Sequence, residues 1–279
     1  MQTVTQRIKA IKQPYGGYIK PSTLKKIVRN DGIVLGEENI SGITIGTTVD
    51  YLTRLVMGAD VRKAFKISLK GAFAAQKMVP FNAQKVAETL ISGIKGIDEQ
   101  SIINACKLVS FDVWYRNPND AVLVTYDYSS INPDQSTISN IQTLVKRSIS
   151  FFEEYGPVTA DGFDFSPEAL DELAFLEMLV TGTGSYGGYT STVYKGDGDF
   201  LTKDTLWDFK VSKSAPTSKH TLQLLMYWIM GQHSGQKIFK GITRLGIFNP
   251  RLNIVYLYDV KDIPDEVIEA VEKDVICYD

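Results

Sequence analysis

The chain has 279 residues, 44% hydrophobic and 22% charged, ordinary proportions for a globular protein with enough apolar side chains to bury a sizeable core. No run approaches the roughly 18 apolar residues of a transmembrane helix, residues 1–7 lack the apolar stretch of a secretion signal, and two isolated cysteines exclude a disulfide framework, so a cytoplasmic protein without a membrane partner is expected. The net charge of −2 gives no global argument for a nucleic-acid partner, but its distribution is uneven. Residues 1–30 carry Arg7, Lys9, Lys12, Lys20, Lys25, Lys26 and Arg29 and no acid, whereas from Asp259 onward eight acids face two lysines. Such a basic end is either a solvated arm or a contact for an anionic ligand.

Residues 1–45, rich in Gly, Pro and Asn, read as a basic arm with short elements. Ile45, Val49, Leu52 and Val56 then fall at helical spacing, predicting an amphipathic helix that stops near Gly58. Further helices are expected at 83–94 and 99–109, a β-like stretch at 121–126, and a long helix carrying Ile141, Leu144, Val145, Ile149 and Phe152 up to Gly156. After the turn-rich segment 181–188 the texture becomes β-rich, with strands expected at 189–194, 199–201 and 205–211. A helix over 218–230 with the stripe Leu222, Leu225, Met226 and Ile229 follows, then strands at 245–248 and 254–258 and an acidic helix at 264–271. The organisation is therefore a 1–45 arm, a mainly helical 46–185 region and a 186–279 sheet region, in an α/β or α+β fold with a mixed sheet and a helical N-terminal elaboration.

Three pieces carry the chemistry: Gly196-Asp197-Gly198-Asp199, Asp208-Phe209-Lys210 and the helical Gln223 to Tyr227. Residues two apart on a strand point to one face, so Asp208 and Lys210 point together and Phe209 points the other way. Asp199 sits one short hairpin earlier, with Asp197 as an alternative. Hard cations prefer carboxylate oxygens and keep waters open to a phosphate. A lysine beside such a cation can orient the attacking water or stabilise the charged transition state. Gln223 and Tyr227, four apart, share one face of their helix and could hold the acids or touch a nucleic-acid strand.

Gly196-x-x-Asp199, Asp208-x-Lys210 and Gln223-x-x-x-Tyr227 resemble, in this order, the motifs of RecB-type nucleases of the PD-(D/E)XK superfamily, over about residues 188–260. The resemblance implies a restriction-endonuclease-like core of one helix, three antiparallel strands, a second helix and a further strand. It also implies phosphodiester hydrolysis with Mg2+ or Mn2+, most readily of DNA. On it, Asp199 and Asp208 correspond to metal ligands, Lys210 to the catalytic lysine, and Gln223 and Tyr227 to the motif that closes the site. The hairpin between Asp199 and Asp208 is tight for the family, and Asp stands where Glu is commoner. Two rivals stay open: an RNA nuclease on the same fold, and a non-catalytic nucleic-acid-binding or assembly module.

A further metal ligand is expected from an upstream helix. Residues 46–54 resemble the acid-bearing helix of lambda-exonuclease-like relatives, which nominates Asp50, with Glu153, Glu154, Glu172 and Glu177 as competitors and an Asp50–Arg54 ion pair as the bland reading. Residues 60–185 would then be a helical insertion. Lys25, Lys26, Arg29 and Arg251 are the candidate phosphate contacts. His220 and His233 lack a second ligand at metal spacing, and Trp207 and Trp228 are expected in the core. A homo-oligomer or a protein partner is compatible with all of this.

Overall fold

The computed structural model describes residues 1–117 and 128–278 and is mixed α/β. In chain order it opens with β1 (Gln2–Thr3), α1 (Val4–Ala10) and β2 (Lys25–Val28). A run of helices follows: α2 (Gly42–Val56), α3 (Val61–Ala64), α4 (Lys66–Ala75), α5 (Ala83–Ser92), α6 (Glu99–Val109), α7 (Asp112–Arg116) and the long α8 (Gln135–Tyr155). Then come β3 (Val158–Asp164), α9 (Glu172–Thr181), the short strands β4 (Ser185–Tyr186), β5 (Tyr189–Thr190) and β6 (Val193–Lys195), and the pair β7 (Asp197–Thr202) and β8 (Thr205–Phe209). Helix α10 (Ser218–Ser234), strands β9 (Arg244–Asn249) and β10 (Ile254–Asp259) and helix α11 (Asp265–Ala270) follow, and a π-helical segment, Val271–Ile276, completes the order. These elements form two units: a sheet unit of residues 1–29, 154–210 and 214 onward, and a helical unit of residues 30–153 and 211–213.

In the sheet unit, six strands lie in the order β2-β10-β9-β8-β7-β3. All neighbours are antiparallel except β8 and β9, which run parallel. A parallel pair needs a crossover, and α10 supplies it, packing on β8 and β9. The helix starts after Thr217, whose N–H donates to His220 Nδ1 at 3.0 Å, and stops at Gly235 in the left-handed region. Its stripe of Leu222, Leu225, Met226 and Ile229 is buried in one cluster with Leu201, Leu206, Leu245 and Ile247 of the sheet. The other sheet face is aromatic: Phe200 and Trp207 stack at 6.2 Å, Tyr155 meets Trp207 edge-on at 5.3 Å, and Phe209 lies 5.9 Å from Phe248. Gly246 is required there, since a Cβ would sit 2.3 Å from the Trp207 ring.

Between β3 and β7 the chain makes a long excursion that carries α9 and the β4–β5 hairpin. Its two ends meet at one phenol. Tyr189 Oη accepts from the Phe165 N–H at 3.2 Å and donates to the Gly196 carbonyl at 2.9 Å.

In the helical unit, α2 buries Ile45, Val49 and Leu52 as the spacing predicts, while Val56, in its last turn, is exposed. Helices α5 and α6 fall where expected, α5 stopping two residues early at Ser92. Residues 31–39 are strapped to α8 by polar contacts: Arg147 grips Asp31 at 2.6 and 2.8 Å, Asn140 bonds Gly36 in both directions, and Thr137 Oγ1 accepts from the Asn39 N–H. Inside the unit, the buried Asp112 accepts from Tyr51 Oη at 2.6 Å and Ser68 Oγ at 2.5 Å and has Arg116 Nε at 3.5 Å.

Several expectations change. Residues 1–45 are not an arm alone, because β2 pairs with β10 as an edge strand of the sheet. The mainly helical region 46–185 also contains β3, the opposite edge strand of the sheet, paired with β7. The helical insertion therefore does not reach residue 185. Strand β8 ends at Phe209 rather than at 211, although the Lys210 N–H still donates to the Phe248 carbonyl at 3.0 Å. Residues 211–213 then belong to the helical unit, where Lys213 faces Glu38 at 3.8 Å. The β-like stretch expected at 121–126 lies outside the described residues.

Candidate active site

Strand alternation builds the site. Leu206 and Asp208 point to the α10 side of β8, whereas Trp207 and Phe209 join the aromatic face. On the neighbouring strand Phe200 pairs with Trp207 and Leu201 with Leu206, so the same register one step on sets Asp199 opposite Asp208. Instead of completing the ladder, Asp199 accepts the Phe209 N–H on its Oδ2 at 2.6 Å. Gly198, beside it, makes room for the Phe163 ring, which a Cβ would meet at 2.0 Å. Three strands and a crossover helix thus converge on two carboxylates.

Asp208 is 2% exposed, and its Oδ1 receives Lys210 Nζ at 2.8 Å. Its Oδ2 is buried and has no hydrogen-bond partner. A buried carboxylate oxygen left in that state is costly, so it marks a place where the fold alone does not complete the bonding. Burial pushes the Asp208 carboxyl up to about 6; Lys210 opposes that shift and the charge of Asp199 adds to it. Lys210 is held above its usual value: burial works against the ammonium, but the charges of Asp208 and Asp199 outweigh it. The lysine is therefore a cation at neutral pH.

Helix α10 brings the remaining residues. Gln223 Nε2 donates to Tyr227 Oη at 2.8 Å, joining the two residues whose spacing places them on one face. Burial raises the Tyr227 phenol well above its ordinary value, helped by the charges of Asp208, Asp199 and Asp197, with only Gln223 opposing. Tyr227 therefore stays protonated, and its hydroxyl proton remains available to an acceptor. The ring is packed edge-on to Phe163 at 6.2 Å and tilted on Phe165 at 5.3 Å. Asp199, Asp208, Lys210, Gln223 and Tyr227 thus form one constellation in the sheet unit.

The other expected residues belong to other elements. Asp50 lies on α2 in the helical unit, where Arg54 Nε donates to its Oδ1 at 2.9 Å. Lys25 and Lys26 are exposed on β2, and Arg29 just beyond it pairs with Glu154 at 3.0 Å. Arg251, expected to touch phosphate, is buried in the turn between β9 and β10, because Asn249 Oδ1 accepts the N–H groups of Arg251 and Leu252 and folds the turn inward. Trp207 is core, with Nε1 donating to Thr202. His233 packs on Tyr278 and bonds Glu272 at 2.9 Å.

His220 is the neighbour that sequence reasoning passed over. Its pKa is lowered by burial and by the charge of Lys210, which keeps the imidazole neutral beside the lysine. The signal was its third place in the helix after Thr217, where a side-chain acceptor reaches back to the capping residue's N–H. Among the described residues, no three His, Cys, Asp or Glu side chains form a group able to hold a metal ion.

Comparison of the chain with protein-family models, with curated proteins and with solved structures returns no match.

Proposed function

We propose that this chain is a metal-dependent nuclease of the PD-(D/E)XK type, with DNA as its main substrate. The observation that carries the proposal is the Asp208 carboxylate: buried in a sheet, held on one oxygen by Lys210, unpartnered on the other, and within reach of the charge of Asp199. The strand order supports the same reading. β3, β7 and β8 are antiparallel neighbours, and a crossover helix and a further strand, β9, follow β8, an order in keeping with the implied core although β3 precedes the motif-bearing segment and a long excursion separates it from β7.

The donor set fits a hard divalent cation. Two carboxylates suffice for magnesium, which usually takes one or two of them and keeps waters and phosphate oxygens for its other positions. Asp199 and Asp208 would hold it, and the unpartnered Oδ2 of Asp208 is the donor that otherwise has no bond. Bound there, the ion would polarise a phosphoryl oxygen and acidify a water molecule.

The chain's own groups divide the rest of the work. Lys210, charged at neutral pH, donates hydrogen bonds to the attacking water or to negative charge that builds on the phosphate oxygens. It is an electrostatic group here, since its ammonium state is the favoured one beside two carboxylates. Tyr227 is a phenol donor oriented by Gln223, placed to hold a carboxylate or a phosphate oxygen.

The test uses the full chain against labelled linear, circular and single-stranded DNA and RNA, in magnesium, in manganese and in chelator. Cleavage that requires metal, prefers DNA, and falls by about a thousandfold in Lys210→Ala and Asp208→Asn is the expected result. Undiminished cleavage in chelator, or wild-type rates in folded Asp208→Asn, would overturn it. Metal-dependent cleavage confined to RNA would keep the chemistry and change the substrate.

A further inference from the structure

Helix α9 carries apolar residues on both its inner and its outer side. Its inner side, with Ala174, Phe175, Met178 and Leu179, packs on the core of the sheet unit. Its outer side does not: Leu173, Leu176 and Val180 are 78%, 53% and 84% exposed, and Leu170, just before the helix, is 77% exposed. At 3.6 residues per turn, the first three fall within about 60° of one another. Single exposed leucines need no explanation, but a row along one helix face marks a contact surface. The helix itself is well made, with Asp171 accepting from the Leu173 and Ala174 N–H groups and Gly182 closing it in the left-handed region.

Charge narrows what covers this face. Glu172 and Glu177 flank the apolar row on its two sides. Residues 155–194 contain six acids, Asp161, Asp164, Glu168, Asp171, Glu172 and Glu177, and no Lys, Arg or His. Of the acids nearest the row, Glu168 is engaged by Lys237 at 3.1 Å. A nucleic-acid backbone meets repulsion here. A second copy of α9 would set Glu172 and Glu177 against themselves, with no base on the element to answer them.

We propose that the outer face of α9 is a docking site for an amphipathic helix of a partner protein, apolar at positions i, i+3 and i+7 and bordered by lysine or arginine. The inference is independent of the nuclease reading, because it needs neither metal nor Asp208.

The probe is a fluorescent synthetic helix with leucine at heptad positions a and d and lysine at e and g, with a glutamate counterpart as control. Anisotropy titration of the full chain should show binding of the lysine helix and not of the glutamate helix. The dissociation constant should rise at least about tenfold in Leu173→Gln/Val180→Gln, and severalfold in Glu172→Gln/Glu177→Gln, where the apolar row is intact. No binding, equal binding of both helices, or unchanged affinity in the apolar variant overturns the proposal. A wild-type dimer in sedimentation equilibrium that the apolar variant dissociates would assign the face to a second copy. Weaker single-stranded DNA binding by the apolar variant would assign it to nucleic acid. Either result would overturn the partner-helix assignment.

Discussion

Two buried aspartates, one in each unit, show what separates a carboxylate bonded on both oxygens from one bonded on a single oxygen. Asp112 is enclosed by donors: Tyr51 and Ser68 each take one oxygen, and Arg116 approaches from a turn away. Asp208 is buried more deeply, yet only one of its oxygens is met, by Lys210. Burial raises the pKa of both, so the shift alone does not distinguish them. The bonding does. A carboxylate with both oxygens bonded is accounted for by the fold, whereas one with an oxygen left open is a candidate functional group.

Removing each aspartate should break this comparison most sharply. Asp112→Ala leaves two hydroxyls and a guanidinium without their acceptor and should cost about 3 kcal/mol in urea unfolding. Asp208→Asn keeps an acceptor for Lys210 and removes a poorly solvated charge, so the metal-free protein should lose less than about 1 kcal/mol or gain stability. Equal losses at the two positions would mean that Asp208 is as structural as Asp112.

A smaller effect lies in the pH dependence. The folded-state pKa of Asp208, about 6, stands above its ordinary 3.8, so the folded protein holds this proton more tightly than the unfolded chain. Its contribution to stability is therefore fully present below about pH 4 and is lost as the pH rises to about 6. In chelator, the wild type should lose stability relative to Asp208→Asn across that window and run parallel to it above. Parallel melting curves at every pH would show that burial does not shift this carboxyl.

The smallest effect concerns surface charge, where the same contrast of answered and open groups applies. Arg29 is paired with Glu154, while Lys25 and Lys26 stand exposed on the edge strand. If those lysines meet phosphates, Lys25→Ala/Lys26→Ala should flatten the salt dependence of DNA binding by about 0.7–0.9 for each phosphate no longer neutralised, and Arg29→Ala should change it less. An unchanged slope in the lysine pair would remove β2 from the nucleic-acid surface.

How much of this was legible in the sequence depended on periodicity. The α10 stripe and the Asp208–Lys210 alternation are visible because a helix and a half-buried strand repeat at 3.6 and 2 residues. Strand β3 was not visible: Val158–Asp164 contains Ala160, Asp161 and Gly162, and as an edge strand it buries only Phe163. Strand β2, reading Lys25-Lys26-Ile27-Val28, resembles a solvated arm because lysines on an edge strand guard it against unwanted pairing. Helix α9 was missed for the opposite reason: apolar residues on both its inner and its outer side weaken the period. Within the site, the Asp208–Lys210 and Gln223–Tyr227 pairs follow from local spacing, and their assembly with Asp199 is what the motif resemblance implies. The open oxygen of Asp208 follows from neither, because it depends on which neighbours the sheet register brings near.

The phenol of Tyr189 has a consequence for how this molecule can change. It fastens the chain leaving β3 to the chain entering β7, so the excursion hangs from a closed neck. The entropy of closing a loop grows only slowly with its length. Residues can be added at the exposed turn 181–183, or exchanged at Leu173, Leu176 and Val180, while Asp161 stays paired with Phe200. The outer face of α9 and the carboxylates of β7 and β8 are thereby free to diverge at different rates.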